Sequence, residues 1–158
     1  MSSMRLGGHR PRDQPDSGHC RYAFVERTLA MMAILTEHTT PWNAIAALPT
    51  TGGPANQVVD FRKHYVDMTA TGLVIIGHVA YEIEKSPEPQ WRAARYVDLA
   101  TKVDWNRNAE IWRNNVINGD KISTTRAPGR VAAAKVMEVV GLRTPEHVTP
   151  LPLVDGAH

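Results

Sequence analysis

The chain has 158 residues, of which 42% are hydrophobic and 22% charged, with a net charge of +2 and a single cysteine. This composition fits one globular domain and excludes a wholly disordered or fibrous chain. Because one cysteine can form neither an intramolecular disulfide nor a cysteine-rich zinc site, the small secreted disulfide scaffolds are excluded as well. The single cysteine therefore indicates a reducing compartment, and we expect a cytoplasmic protein.

No membrane segment or secretory signal is expected from the hydropathy pattern. The longest charge-free apolar run covers residues 68–81, which is shorter than the ~20 residues that a bilayer-spanning helix needs. The first twenty residues carry Arg5, Arg10 and Arg12 without the apolar block of a secretory signal.

The positive charge is concentrated in the last third of the chain. Residues 91–143 hold ten basic and five acidic side chains, whereas residues 28–90 hold three basic and six acidic ones. Lys and Arg that displace condensed counterions supply most of the sequence-independent affinity of proteins for nucleic acid. A solvated set of helices carries similar charges. Both interpretations remain open at this point.

The N-terminal half predicts three helices after an unordered arm. Residues 1–20 are poor in apolar side chains and predict a disordered arm. A short helix is expected after Pro41, and a turn over residues 49–54 precedes one long helix, in which a kink near Gly72 is the alternative. The predicted buried face of the first helix consists of Tyr22, Val25, Leu29, Met32 and Leu35. That of the long helix consists of Val58, Phe61, Tyr65, Met68, Gly72, Ile75, Val79 and Ile83.

The C-terminal half predicts two or three further helices. One follows the break at residues 86–89, and residues 105–116 have helical spacing of apolar side chains. Asn118-Gly119 predicts a turn, with a small hairpin near residues 121–125. The last helix opens at Pro128 and ends with Gly141 and Leu142 as its C-terminal cap. The prediction is an all-α bundle of five to six helices over residues 21–143, followed by a flexible tail, 144–158.

No catalytic, metal or cofactor motif stands out. His64 and His78 are fourteen residues apart on the predicted long helix, roughly 21 Å, so they cannot share an ion. The chain has no HExxH, CxxC, GxxxxGK[ST] or GxGxxG. We therefore expect no metal and no cofactor.

The basic segment offers the candidate DNA contacts. Trp105 and Trp112 are seven residues apart, which favours core anchoring over base stacking. A standard helix-turn-helix is disfavoured because about eleven residues would separate the last two helices. Arg126 and Arg130 flank the start of the last helix, where backbone N–H groups favour an anion. The candidate DNA-binding residues are Arg107, Arg113, Lys121, Arg126 and Arg130.

The order of several landmarks resembles a known family. Asp104-Trp105, Trp112, Asn118-Gly119 and Gly141-Leu142 are similar to the C-terminal helical part of DGQHR-domain proteins related to DndB, over about residues 21–143. The resemblance implies a DNA-associated regulator or accessory factor of DNA phosphorothioate modification that works with DNA or with other DNA-modification proteins.

One part of the family pattern is not matched. The family's namesake motif belongs to an N-terminal α/β half for which this chain is too short, and residues 6–10 match it at three of five letters. We therefore transfer no catalytic residue and expect no catalysis. The alternative function is a helical interaction module that packs on a separately encoded partner through the face around Gly72 and Gly77.

Overall fold

Six α-helices and one short hairpin form most of the regular structure in the computed structural model, which describes residues 17–49, 55–119 and 121–143. The helices are α1 (Ser17–His38), α2 (Trp42–Ala46), α3 (Ala55–His64), α4 (Ala70–Glu84), α5 (Pro89–Thr101) and α6 (Arg126–Val139). The antiparallel hairpin pairs β1 (Ile117–Asn118) with β2 (Lys121–Ile122). The all-α prediction is confirmed. Residues 1–16 of the predicted arm and the predicted tail from residue 144 lie outside the described residues.

The face that α1 presents to the core differs from the predicted one. The helix starts at Ser17 rather than near residue 22, and of the five predicted buried side chains only Leu35 is buried. Met31 and Ile34, which lie on another side of the helix, pack against the core instead. The reason is that α1 lies against α2 and α5, and this packing turns the predicted face toward solvent.

The predicted long helix is two helices separated by a turn at residues 65–69. The Val66 backbone N–H donates to the Trp105 carbonyl at 2.9 Å and so leaves the helical hydrogen-bond pattern. The Thr69 hydroxyl then caps α4 by accepting from the Gly72 N–H at 3.1 Å. A side chain at Gly72 would overlap the backbone of Val66 and Asp67. The chain can fold back here because residue 72 has no Cβ.

The predicted helix over residues 105–116 is wrong, apart from a 3₁₀ turn at Glu110–Trp112. The Asp104 Oδ1 atom accepts from the Asn106 N–H, and the Asn106 Oδ1 atom accepts from the Asn108 N–H, each at 2.9 Å. Such bonds from side chains to nearby backbone compete with helix formation. Trp105 and Trp112 are nevertheless buried, as core anchoring predicted.

The core lies where α4 packs against both α5 and α6. Ile75, Val79 and Ile83 of α4 are fully buried. The end of α6 follows the prediction, because Gly141 has a φ of 71° and its N–H donates to the Glu138 carbonyl, while the Leu142 N–H donates to the Met137 carbonyl. The two ends of α6 are therefore fixed differently: the C-terminal end is capped, and the N-terminal end has no side-chain cap at Thr125.

Candidate nucleic-acid interface

The segment between α5 and α6 carries three of the five predicted DNA contacts, and hydrogen bonds attach it to two other helices. The Arg107 N–H donates to the His64 carbonyl at 2.7 Å, which holds this segment against the C-terminal end of α3. The Thr71 hydroxyl donates to the Ser123 carbonyl at 3.0 Å, which holds the irregular segment after the hairpin against the start of α4. The basic segment therefore runs over the end of α3 and the start of α4 before it enters α6.

Three of the predicted residues are exposed cations. Arg113 follows the 3₁₀ turn, Lys121 lies on β2 opposite Asn118, and Arg126 is the first residue of α6. Within the described residues, no acidic side chain forms an ion pair with any of these three. Their charges are therefore available to a phosphate.

Arg107 and Arg130 differ from these three. The Arg107 Nη1 atom donates to the Lys63 carbonyl at 3.4 Å, so its guanidinium lies over the end of α3. Arg130 is one turn beyond Arg126 in α6 and is half-buried, and its Nε atom is enclosed with no hydrogen-bond partner in the described part of the chain. The structure groups Arg107 with α3, and it places Arg130 at the edge of the core rather than on the open surface.

Several other cations of the bundle already form ion pairs. Arg95 of α5 and Lys102, the residue after this helix, both contact Asp98, at 3.1 and 2.9 Å. Lys85, the residue after α4, pairs with Glu82 at 2.7 Å. Because an ion-paired cation must give up its partner to meet a phosphate, the unpaired cations near α6 are the better candidates for a phosphate contact.

Sequence reasoning missed the basic end of α3. Arg62 and Lys63 lie in its last turn, next to the Arg107 backbone contact, and both side chains are exposed. Lys63 also pairs with Asp60 at 3.0 Å, which leaves Arg62 as the more available cation. Both residues lie in the stretch 28–90, which has a net negative charge, so a count of charges along the sequence does not identify them as part of a basic surface. Their clustering as Arg62-Lys63-His64 was the available signal.

The turn between α3 and α4 contains a buried carboxyl group. Asp67 has no solvent-exposed surface, and neither carboxylate oxygen has a hydrogen bond of normal geometry from the described residues. Burial raises the pKa of Asp67 to about 7. The backbone N–H groups of Asp67 and Met68 and the indole of Trp42 lower the pKa, but by smaller amounts. The group lies inside the protein, below the basic surface rather than on it.

Two classes of site find no support in the described ranges. No cluster of three or more His, Cys, Asp or Glu side chains there is placed to hold a metal ion. Nor does any helix among these residues combine the length and the apolar character needed to cross a bilayer.

Fold and surface together define a small helical protein with unpaired cations around the start of its last helix. A family model described as "DndB: DNA-sulfur modification-associated" matches residues 16–143. The chain belongs to the DndB family, and its context is therefore DNA sulfur modification, as the resemblance implied. No curated protein and no solved structure gives a significant match to the chain.

Proposed function

We propose that this protein is a non-catalytic, DNA-associated regulator or accessory factor of DNA phosphorothioate modification in the cytoplasm. The observation that carries the proposal is the set of exposed, unpaired cations at Arg113, Lys121 and Arg126 in a member of the DndB family. The exposed Arg62 extends this set to the end of α3, where the Arg107 guanidinium also lies.

The contacts suit the phosphate backbone rather than base edges. The described residues between α5 and α6 form turns, a hairpin of two-residue strands and one 3₁₀ turn, so Arg113 and Lys121 lie on no helix that could enter a major groove, and Arg126 is the first residue of α6. Lys and Arg on such a surface neutralise phosphates and release counterions. We expect binding to duplex DNA that depends weakly on sequence and strongly on salt.

The test is the salt dependence of binding to a short DNA duplex, measured by fluorescence anisotropy between about 50 and 200 mM salt. If Arg126 and Arg130 both meet phosphate, the double variant Arg126→Ala and Arg130→Ala lowers the slope of log K against log salt by about two. Because Arg130 is half-buried, the variant Lys121→Ala with Arg126→Ala is the surface-only version of the same measurement.

The matched control removes two cations that are already paired. Lys85→Ala with Lys102→Ala changes the net charge equally, but these side chains pair with Glu82 and Asp98. Its slope should stay close to that of the unaltered protein. Equal slopes for all the variants would refute the assigned contacts, and an unaltered protein that binds no DNA at low salt would refute the DNA-associated function.

The alternative function, a module that packs on a separately encoded partner, makes a different prediction. Binding through an apolar interface should respond little to salt. Of the two glycines considered for that face, Gly72 is covered by the protein's own backbone at Val66, whereas Gly77 is exposed, and a Cβ added there would meet nothing within 4 Å. The alternative therefore depends on Gly77 and its neighbours.

A further inference from the structure

A stripe of large apolar side chains on α1 is open to solvent. It consists of Tyr22, Val25, Leu29 and Met32, which are exposed to 75, 52, 64 and 39%, and we call it the α1 stripe. The intervals along the chain are three, four and three residues. This is the spacing with which one helix packs along another in a coiled-coil seam.

The side of α1 that faces α4 also carries large apolar side chains, beside Arg27 and Thr28. Phe24 and Met31 line a cavity of about 570 Å³ between α1 and α4, whose other wall includes Gly77 and Tyr81. A second apolar side on a helix is typical of a helix that packs against more than one neighbour. In the described part of the chain, nothing covers the α1 stripe.

Charge and spacing both favour a second copy of this chain as the cover. Between residues 22 and 36 the only charged side chains are Glu26 and Arg27, so this stretch carries no net charge and does not repel its own copy. A neutral stripe also gives no advantage to a strongly acidic or basic partner. A two-fold axis beside α1 would place the α1 stripe of one copy against the same stripe of the other copy, as in an isologous dimer.

The area of the stripe is enough for a weak dimer. From the exposed fractions above, each copy presents on the order of 450 Å² of apolar surface, so two copies with their flanking side chains bury on the order of 1,000 Å². This value lies at the low end of specific interfaces, where association is reversible and concentration-dependent.

We propose that two copies of this chain pair through their α1 stripes to form a weak, two-fold symmetric dimer. The pairing is independent of DNA binding, because its side chains lie on α1 and the cations lie on the segment before α6 and on α3. A dimer would double the number of cations available to one DNA molecule.

The test is sedimentation velocity of the full chain from about 5 to 500 µM, a range that spans weak association. The unaltered protein should pass from monomer to dimer over this range. Leu29→Glu places a charge in the centre of the α1 stripe and should weaken dimerisation at least tenfold. Tyr22→Ser, at the most exposed position of the stripe, should also weaken dimerisation.

The matched control is Ala30→Glu, which adds the same charge at the neighbouring exposed position outside the stripe. This variant should dimerise like the unaltered protein. Circular dichroism checks that all variants remain folded, which we expect because residues 22, 29 and 30 are exposed. A protein that stays monomeric throughout the range would overturn the proposal, as would equal dimerisation of the Leu29→Glu and Ala30→Glu variants.

Discussion

The rings of Trp105 and Trp112 stack in the core with their centroids 5.2 Å apart and their planes 26° from parallel. Both indole N–H groups are satisfied by backbone, since Trp105 Nε1 donates to the Leu99 carbonyl at 3.1 Å and Trp112 Nε1 to the Asp104 carbonyl at 2.8 Å. The pair therefore fixes an irregular segment to the end of α5 by both packing and hydrogen bonds.

Truncation of Trp112 should be costly, because the side chain is fully buried. Trp112→Ala should lower the free energy of unfolding by about 3–5 kcal/mol, measured by urea denaturation. Trp112→Phe keeps much of the packing and loses the bond to Asp104, so its cost should be smaller. Equal losses in the two variants would contradict the role assigned to ring packing.

Gly72 and Gly77 should respond oppositely to the same substitution. Gly72→Ala forces a Cβ into the backbone of Val66 and Asp67, so we expect a loss of roughly 2 kcal/mol or more in unfolding free energy. Gly77→Ala has open space around it and should stabilise the helix by about 0.5–1 kcal/mol. Thermal or urea denaturation of both variants measures the contrast, and a stabilised Gly72→Ala variant would contradict the close approach.

Asp67 should make stability fall with rising pH. Its pKa is about 7 in the folded protein, against an ordinary value of 3.8, so between these values the folded state binds more protons than the unfolded state. The stabilisation that comes from the raised pKa of Asp67 is fully present below about pH 4. Roughly 4 kcal/mol of unfolding free energy is lost as the pH rises from 4 through 7.

Asp67→Asn removes this titration. The difference in unfolding free energy between the variant and the unaltered protein should shift in favour of the variant by roughly 4 kcal/mol from pH 4 to pH 7, measured by urea denaturation. Asp60→Asn, at an exposed carboxylate, is the control for the loss of a carboxylate at the surface. A constant difference for Asp67→Asn across this range would contradict the raised pKa.

The bond from Thr71 to Ser123 should stabilise the hairpin region. Thr71→Val keeps the shape of the side chain but loses this bond, and we expect about 1 kcal/mol less stability with faster hydrogen exchange at residues 116–123. The control is Thr101→Val, because the Thr101 hydroxyl bonds only within its own helix, to the Val97 carbonyl. Similar exchange rates at residues 116–123 in both variants would count against the contact.

Features set by neighbouring residues were predictable from the sequence. The cap of α6 at Gly141 and Leu142 is one example, because both hydrogen bonds close within six residues. The turn at Asn118-Gly119 is another, since Gly119 has the positive φ that such a turn requires. The family resemblance also followed from the order of local landmarks along the chain.

Features set by distant contacts were not predictable in this way. The break between α3 and α4 depends on the bond from Val66 to Trp105, about forty residues away in the chain. The orientation of α1 depends on where α5 and α2 lie, since apolar side chains occur on more than one side of the helix and the sequence alone does not show which side is buried. Likewise, the approach of Arg107 to the end of α3 is a tertiary contact, so Arg62 was not recognised as its neighbour.

Glu84 is shared by three helices. Its Oε1 atom accepts a bond from the Tyr96 hydroxyl of α5 at 2.8 Å, and its Oε2 atom lies 3.6 Å from both Arg92 of α5 and Arg27 of α1. Because Arg27 is half-exposed, added electrolyte screens the link to α1 more than the link to Tyr96. The ion pair between Arg27 of α1 and Glu84 of α4 therefore weakens as the ionic strength rises. The bond between Glu84 and Tyr96, which joins α4 to α5, changes less.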